Sequence, residues 1–283
     1  MRSGSDRSTT AHSWSCGSKV RRAKRRLGQH FLADPRILAR IADALGAGPA
    51  DTVLEIGPGP GGLTGALAAR AGHVVAIEKD PDLVPSLQTR FANVRVIVDD
   101  ALELDWHGLV PPAFLVAGNI PYNITSPLLD KALLPPRPSR IVFLVQKEVA
   151  DRVTAMPGTS EYGALSIGVQ AVATAERLFV VPAGAFQPRP KVDSAVLRIV
   201  PREKPLIDDA ERESFRALVV GLFGFRRKQI LRGLRELTGW DAARVSGQLE
   251  GTEISPTVRP EVLSPDTFVR LHRVLVDGGW SPR

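Results

Sequence analysis

The apolar residues that follow position 34 are spaced as they would be on one face of a helix. They recur at intervals of three or four positions, at Ile37, Leu38, Ile41 and Leu45. This spacing predicts an amphipathic helix. Asp34 followed by Pro35 is typical of an N-cap with a proline in the first turn. The glycines at 46 and 48 end the pattern.

The next hundred residues alternate between short continuous apolar runs and helical spacing. The apolar runs predict strands at 52–56, 74–77, 94–98, 114–117 and 141–145, and helices are predicted between them, for example at 63–71 and 83–91. Continuous apolar strands separated by helices indicate a parallel sheet covered on both faces. Two further runs, at 178–181 and 194–200, are joined by a proline-rich loop without a helix. We therefore predict a doubly wound, Rossmann-like α/β sheet that ends in a hairpin, with the last strand antiparallel.

The strand pattern disappears after Pro201, and three amphipathic helices are predicted. The first carries Phe215, Leu218, Val219 and Leu222; the second carries Ile230, Leu231, Leu234 and Leu237 and ends at Gly239; the third follows Ser264-Pro265-Asp266 and carries Phe268, Leu271 and Leu275. The pattern predicts three parts: an arm at 1–26, a sheet domain at 27–205 and a small all-helical domain at 206–283.

The net charge of the chain is concentrated in that arm. The 283 residues include 37 Lys and Arg and 30 Asp and Glu, a net charge of +7. Residues 1–26 hold eight of the basic side chains and a single acid, Asp6, so the remainder is balanced. The first 18 residues are mostly polar or glycine, which favours disorder.

Composition excludes several classes of protein. No apolar run approaches the ~18 residues of a membrane helix, and Cys16, the single cysteine, cannot form an intramolecular disulfide. The arm has no apolar segment behind it, so it does not resemble a secretory signal. An organelle transit peptide is the alternative for this Ser- and Arg-rich segment, and we expect a cytoplasmic protein.

A glycine-rich loop follows the first predicted strand, with the sequence Glu55-Ile56-Gly57-Pro58-Gly59-Pro60-Gly61-Gly62. Such a loop also fits a dinucleotide. However, Pro58 and Pro60 have no N–H to offer a diphosphate, and a carboxylate at Glu55 would repel one. The combination suits a ligand with ammonium and sulfonium groups, such as S-adenosylmethionine.

Acidic residues stand at the ends of the next two strands. Glu78 follows Gly57 by 21 residues, a spacing typical of ribose recognition. Asp100, beside Asp99, follows the third strand and could accept from an adenine amino group. Each of these acids alone would be interpreted as an ordinary solvent-exposed residue at the end of a strand. Together they indicate a site for a nucleoside cofactor.

The fourth strand leads into Asn119-Ile120-Pro121-Tyr122. The exocyclic amine of a nucleobase is a poor nucleophile because its lone pair is delocalised into the ring. An Asn119 oxygen and the carbonyl of Ile120 or Pro121 could accept both N–H bonds and favour a pyramidal nitrogen. A nucleobase that has left the base stack of the RNA could lie on the aromatic ring of Tyr122. A plain proline turn is the alternative.

Several motifs in this order resemble the ribosomal RNA adenine N6-dimethyltransferase family, over about residue 25 to the end. The resemblance is carried by Gly28-Gln29-His30-Phe31-Leu32, the glycine loop, Glu78, Asp100, Asn119-Ile120-Pro121-Tyr122, Gln146-Lys147-Glu148-Val149-Ala150 and residues 186–196 (FQPRPKVDSAV). The similarity is greatest to the branch that dimethylates two adjacent adenosines near the 3′ end of small-subunit rRNA.

The resemblance implies a role for each matching residue. Contacts to S-adenosylmethionine are implied for His30, Leu32, Gly57, Glu78, Asp100 and Asn119. Asn119 and Tyr122 would hold the target adenine, with Phe186 stacking on its other face. The family pattern usually has Asn where this chain has His30, whose ring can also donate or accept. No metal is implied.

Five basic side chains without an intervening acid lie at 226–235: Arg226, Arg227, Lys228, Arg232 and Arg235. We place Lys228, Arg232 and Arg235 on one stripe of the second C-terminal helix. A solvated amphipathic face is the alternative, but next to an adenine site and a basic arm we expect phosphate binding.

The resemblance implies small-subunit rRNA or an immature small subunit as partner, without a membrane, and a monomer. The large-subunit (23S) branch of the family is a rival, although Asp193 after Lys191-Val192 and the C-terminal domain favour the small-subunit branch. An NAD-dependent oxidoreductase and a non-catalytic ribosome assembly factor are rivals of a different class.

Overall fold

The computed structural model of the chain describes residues 29–282. The basic arm at 1–26, Cys16 and Gly28 lie outside the described residues. The strands within that range are β1 Phe31–Leu32, β2 Thr52–Ile56, β3 His73–Glu78, β4 Val94–Val98, β5 Leu115–Asn119, β6 Arg140–Gln146, β7 Ala173–Val181, β8 Phe186–Gln187 and β9 Ser194–Pro201.

The α-helices of the same range alternate with the strands up to β6 and dominate the chain after β9. They are α1 Pro35–Leu45, α2 Gly62–Ala68, α3 Val84–Gln88, α4 Thr125–Ala132, α5 Lys147–Thr154, α6 Ala164–Gln170, α7 Arg212–Gly224, α8 Ile230–Thr238, α9 Ala242–Leu249 and α10 Pro265–Asp277. Asp34 caps α1 by accepting from the Arg36 N–H, and Gly46 ends it in the left-handed conformation. Both ends of α1 are as predicted.

Seven of the described strands form one sheet in the order β4-β3-β2-β5-β6-β9-β7. β4, β3, β2, β5 and β6 are parallel, β9 runs antiparallel to β6, and β7 runs antiparallel to β9. The predicted Rossmann-like sheet with a terminal hairpin is confirmed. The strand order reverses between β2 and β5, so the crevice at the carboxyl ends of these strands is the expected ligand site.

Alternate residues of the sheet strands belong to two hydrophobic clusters. Val53 of β2 packs with Ile41 of α1 and Leu67 of α2. Its neighbour Leu54 belongs to the cluster that contains α4 and the C-terminal helices. Both clusters consist of nearly solvent-free side chains. The sheet is therefore packed tightly between two layers, which fixes the positions from which the loops at its carboxyl edge extend.

A second, two-stranded ladder joins distant segments beside that edge. β1 pairs with β8, with Phe31 opposite Gln187 and Leu32 opposite Phe186. The Ala33 N–H also donates to the Ala185 carbonyl at 3.2 Å. The residues before α1 are thereby tied to the proline-rich loop of the hairpin. Neither short strand was predicted, because two residues give no periodicity.

Three predictions about the helical part and the hairpin need correction. The described residues after β9 form four α-helices, not the three predicted. The additional helix, α9, was missed because it has few apolar residues, among them Val245 and Leu249. Lys228 lies in the turn before α8 rather than on the helix, because Gln229 has extended backbone angles. β7 begins five residues earlier than predicted, in a polar stretch that an edge strand tolerates.

Among residues 29–282, no helix is long and apolar enough to cross a lipid bilayer.

Candidate active site

A cavity opens at the carboxyl ends of β2, β3, β4 and β5, at the predicted crevice. Six of the residues singled out in the sequence line it, namely His30, Gly57, Glu78, Asp100, Asn119 and Tyr122. They come from loops after four strands and from the segment before α1. The structure therefore brings together residues that are up to 92 positions apart in the chain.

The glycine loop is shaped by residues with positive φ. Gly57 and Gly59 have φ of +67° and +57°, a region that side chains with a Cβ rarely adopt. A Cβ on Gly59 would also lie 3.1 Å from the Phe31 ring. The Gly57 N–H donates to the Ile77 carbonyl at 2.9 Å, which fixes the loop against β3. Glycine is thus required for the loop to pass this close to the cavity.

Glu78 is buried and anchored by main-chain groups. Its Oε2 accepts from the Gly59 N–H at 2.9 Å, and its Oε1 accepts from the Asp80 N–H at 2.7 Å. Burial raises the pKa of Glu78, and these N–H groups oppose that rise. Each carboxylate oxygen has a lone pair left for a hydroxyl group of a ligand.

Asp100 has a partner that the sequence analysis did not anticipate. Its Oδ2 accepts from the Lys79 Nζ at 2.5 Å, and its Oδ1 from the Leu102 N–H at 3.0 Å. The Lys79 ammonium lowers the pKa of Asp100, and the Leu102 N–H acts in the same direction. Lys79 also lines the cavity. An adenine amino group that binds Asp100 would therefore compete with Lys79.

Asn119 is oriented by a hydrogen bond to the segment before α1. Its Nδ2 donates to the His30 carbonyl at 2.8 Å. Because a carbonyl can only accept, the amide nitrogen must face His30, and Oδ1 is left for a donor in the cavity. The Pro121 carbonyl already accepts from the Ile124 N–H and the Thr125 hydroxyl. Of the two predicted main-chain acceptors, Ile120 is thus the one with no partner among the described residues.

Tyr122 is held at both ends. Its hydroxyl forms a hydrogen bond of 2.8 Å with the fully buried Ser194 hydroxyl of β9. Its ring is stacked on the His30 imidazole, with centroids 5.6 Å apart and planes inclined by 24°. Burial raises the pKa of Tyr122, so the phenol is protonated near neutral pH. The tyrosine ring is therefore fixed in plane and in position.

The His30 ring is itself tied to the proline-rich loop. Its Nδ1 lies 2.8 Å from the Pro188 carbonyl, so this nitrogen carries the proton. In the neutral ring Nε2 is then an acceptor. His30 therefore contacts two cavity residues: its carbonyl accepts a hydrogen bond from Asn119, and its ring stacks on Tyr122.

The structure does not bring Leu32 and Phe186 to the cavity wall. They face each other across the β1–β8 ladder, are 7% and 5% exposed, and pack into the cluster beneath α1 and α2. The implied stacking position of Phe186 is therefore not the one seen here, because β1 pairs with β8 and Phe186 is part of the core. In this structure the ring next to Tyr122 is His30.

The profile of the family described as ribosomal RNA adenine dimethylase matches residues 20–271, which is most of the chain. The chain belongs to this family. Relatives named ribosomal RNA small subunit methyltransferase A include one from Geobacter metallireducens, 43% identical over 90% of this chain and 96% of the relative. Another, from Nitratidesulfovibrio vulgaris strain Hildenborough, is 45% identical over 88% of this chain and 95% of the relative.

Two solved structures of similar proteins cover most of the chain. A dimethyladenosine transferase from Plasmodium falciparum superposes with a TM-score of 0.78 at 26% identity, over 90% of this chain and 100% of that one. The 23S rRNA methyltransferase ErmE superposes with a TM-score of 0.67 at 31% identity, over 87% of this chain and 99% of that one. Both likenesses extend over the sheet and the C-terminal helices.

The predicted RNA-binding side chains divide into two groups in this family member. Arg227, Lys228, Arg232 and Arg235 are exposed and have no side-chain partner among the described residues. Arg226 instead donates to Glu261 at 2.7 Å and to the carbonyls of Thr159 and Ser160. Arg226 therefore connects the turn after α7 to two other loops.

Sequence reasoning missed Lys79 and gave Ser194 no role. Lys79 directly follows Glu78, and a basic residue between two strand-end acids could have drawn attention. Ser194 lies within the recognised 186–196 motif, but its partner is 72 positions away, and nothing in the local pattern shows this contact.

Proposed function

We propose that the chain uses S-adenosylmethionine to dimethylate N6 of two adjacent adenosines near the 3′ end of small-subunit (16S) rRNA, as a step in small-subunit maturation. Family membership and the names of the relatives at 43–45% identity support this proposal. The observation that carries it is the orientation of Asn119. Its Nδ2 is bonded to the His30 carbonyl, which leaves Oδ1 as an acceptor in the cavity.

The residues of the cavity fit the proposed cofactor. Glu78 has acceptor capacity for two ribose hydroxyls, and Asp100 can accept from an amino group once Lys79 shares or leaves it. The glycine loop allows close approach next to these two acids. S-adenosylmethionine supplies a methyl group on a positively charged sulfur. His30 Nε2 would complete the binding, whereas Leu32, which the resemblance implies as a further contact, lies off the cavity wall.

Two hydrogen-bond acceptors would hold the target amine, and we call this pair of acceptors the amine clamp. Asn119 Oδ1 and the Ile120 carbonyl each accept one N–H of the target amine, which favours a pyramidal nitrogen with its lone pair free. When the methyl group forms its bond to nitrogen, its bond to sulfur breaks, and the alkylated nitrogen then releases a proton to water. The residues therefore act by position and electrostatics, without a general base.

Tyr122 provides the stacking face for the base. A base between two rings needs about twice the 3.4 Å separation of stacked bases. This exceeds the 5.6 Å between the His30 and Tyr122 centroids. We infer that the adenine lies on the face of Tyr122 turned away from His30. Phe186 could serve as its second ring only after leaving the core in which it lies.

The unpartnered basic residues are proposed as the RNA-binding surface. Arg227, Lys228, Arg232 and Arg235 project from the turn before α8 and from α8 itself. Phosphate groups would supply the partners that these side chains lack within the described residues. Arg226 is proposed to support this surface through its bond to Glu261.

Large-subunit rRNA is the second candidate substrate, and the likeness to ErmE favours it. The small subunit is the better candidate because relatives with that name are 43–45% identical, against 31% for ErmE. The two candidates differ in the RNA that becomes methylated.

The experiment that tests the function offers the purified protein radiolabelled S-adenosylmethionine together with undermethylated small subunits or free 23S RNA. We expect N6-dimethyladenosine in small-subunit rRNA, located by mass spectrometry to two adjacent positions. Labelling of 23S RNA alone would assign the chain to the other branch. Labelling of neither RNA, with an active relative as positive control, would contradict the proposal.

A further inference from the structure

A half-buried lysine of α4 donates to the main chain of the turn that carries Asp100. This turn, residues 99–105, follows β4, and we call it the Asp100 turn. Lys131 Nζ lies 2.5 Å from the Leu102 carbonyl oxygen and 2.7 Å from the Leu104 carbonyl oxygen. A charged donor forms stronger hydrogen bonds than a neutral one. Lys131 therefore holds the Asp100 turn against α4, from a position that is not part of the cavity wall.

Both residues that Lys131 holds are bonded directly to Asp100. The Leu102 N–H donates to Asp100 Oδ1 at 3.0 Å, while the Leu102 carbonyl accepts from Lys131. The Leu104 N–H donates to the Asp100 carbonyl at 3.0 Å, and the Leu104 carbonyl also accepts from Lys131. A shift of Leu102 or Leu104 would therefore move the Asp100 carboxylate, which lines the cavity.

The charge of the Asp100 turn gives the lysine a second reason to be there. Four of the seven residues of this turn are acids, namely Asp99, Asp100, Glu103 and Asp105. All four attract the Lys131 ammonium. Carboxylates this close together repel one another, and a cation among them offsets the repulsion. An uncharged residue in place of Lys131 would therefore loosen the turn both by losing two hydrogen bonds and by leaving this repulsion uncompensated.

α4 also continues from the segment that is proposed to hold the target base. The end of β5 with Asn119 and the turn with Tyr122 lead directly into α4, which begins at Thr125. Lys131 follows about two helical turns later. It thereby connects the helix that extends from the amine clamp to the turn that presents Asp100. Group transfer is sensitive to displacements of about 1 Å between bound reactants.

We propose that Lys131 is a positioning residue for the cofactor, which keeps Asp100 in place to accept the 6-amino group of the adenine. This inference rests on the proposed function. A carboxylate that accepts from an amino group favours a 6-aminopurine over a purine that lacks this group. Lys131 acts on this selection through Leu102 and Leu104. The residue thereby sets how strongly the site prefers its own cofactor.

Calorimetric titration tests this with S-adenosylhomocysteine and with its 6-deamino analogue, which has hydrogen in place of the amino group. The wild-type protein should bind the amino compound about tenfold more tightly, as expected for one hydrogen bond to a charged group. In Lys131→Met this preference should fall by about threefold or more. Methionine is a good helix former of similar length, so α4 should form in the variant. Because the preference is a ratio of two affinities, a lower fraction of folded protein does not change it.

Arg137→Met is the matched control, since Arg137 is a second half-buried cation that binds a carbonyl of the same region. Its Nε donates to the Leu133 carbonyl after α4 at 2.9 Å, and its guanidinium pairs with Asp209. This variant should lower the melting temperature and leave the preference for the amino compound unchanged. Lys131→Arg keeps a cation with several N–H donors and should retain most of the preference. Lys131→Gln loses the charge and should weaken the preference less than Lys131→Met.

An unchanged preference in both Lys131→Met and Lys131→Gln, or an equal loss in Arg137→Met, would overturn the proposal. A wild-type protein that binds the two compounds equally well would also overturn it, while labelling of small-subunit rRNA by the same protein would still support the proposed function. A wild-type protein that binds neither compound would contradict the proposed cofactor itself.

Discussion

The hydrogen bond from Asn119 to the His30 carbonyl determines which end of the amide faces the cavity. A side-chain amide can otherwise present a donor or an acceptor, and only an acceptor suits an amine with two N–H bonds. The same His30 residue places its ring on Tyr122. A single residue outside the sheet thus orients both residues proposed to hold the base. We therefore expect the segment before α1 to be essential for the geometry of the site.

Ser194→Ala is predicted to reduce methylation by way of Tyr122. Removing the 2.8 Å hydrogen bond frees the tyrosine ring to tilt, and the loss of about 1 kcal/mol predicts a three- to tenfold lower kcat/KM. Tyr122→Phe removes the same bond and should have a similar effect. The affinity for S-adenosylmethionine, measured by calorimetry, should not change.

The double variant decides whether Ser194 acts through Tyr122. If it does, Ser194→Ala combined with Tyr122→Phe should be no worse than either single variant, because both remove one interaction. Independent, additive losses would show that Ser194 supports the fold of β9 instead.

The elements of the sheet were predictable because continuous apolar runs and helical spacing differ clearly in period. β2 to β6 and β9 are found where the pattern places them, and β7 is found with an earlier start. The β1–β8 ladder was not predictable, because its stability comes from packing between segments more than 150 positions apart. The burial of Phe186 follows from that ladder and was missed for the same reason.

The turn before α8 and α8 itself make a testable contribution to RNA binding. Replacing Lys228, Arg232 and Arg235 with Gln should flatten the dependence of log affinity on log salt by ~2, since each single-strand-type phosphate contact contributes about 0.7. The measurement is binding to small-subunit rRNA at several salt concentrations. Thermal stability should not change, because these side chains have no partner among the described residues.

Arg226→Gln is the matched control from the same segment. Its guanidinium is occupied by Glu261 and two carbonyl groups. This variant should lower the melting temperature and leave the salt dependence nearly unchanged. A flattened slope in Arg226→Gln, or an unchanged slope in the triple variant, would contradict the division of these basic residues into two groups.

At the scale of the whole molecule, the sheet and the C-terminal helices share one hydrophobic cluster. Leu218 and Phe215 of α7 belong to the same cluster as Phe143 of β6. Arg216 of α7 also pairs with Asp130 of α4 at 2.8 Å. The break in sequence pattern near residue 206 marks a change of element type, and the core continues across it. This could not be predicted, since an amphipathic face does not show what covers it.

Leu218→Ala should therefore destabilise the whole described structure in one step. Removing this fully buried side chain should cost about 2–5 kcal/mol. Urea unfolding followed by the fluorescence of Trp106 near the sheet and of Trp280 after α10 should give coincident transitions, each in a variant that lacks the other tryptophans. Val220→Ala, at an exposed position of the same helix, should change stability little. Separate transitions would contradict a shared core.

The most direct measurement of the central claim is the rate of adenosine dimethylation by Asn119→Ala compared with Asn123→Ala. Asn123 lines the same cavity, and its side chain has no hydrogen bond among the described residues. Losing the Oδ1 acceptor should lower kcat on undermethylated small subunits about 10²–10³-fold, the usual effect of one preorganised polar group. Asn123→Ala should remain within a few-fold of the wild type. If Asn119→Ala folds and methylates small-subunit rRNA as fast as Asn123→Ala, the amine clamp is contradicted.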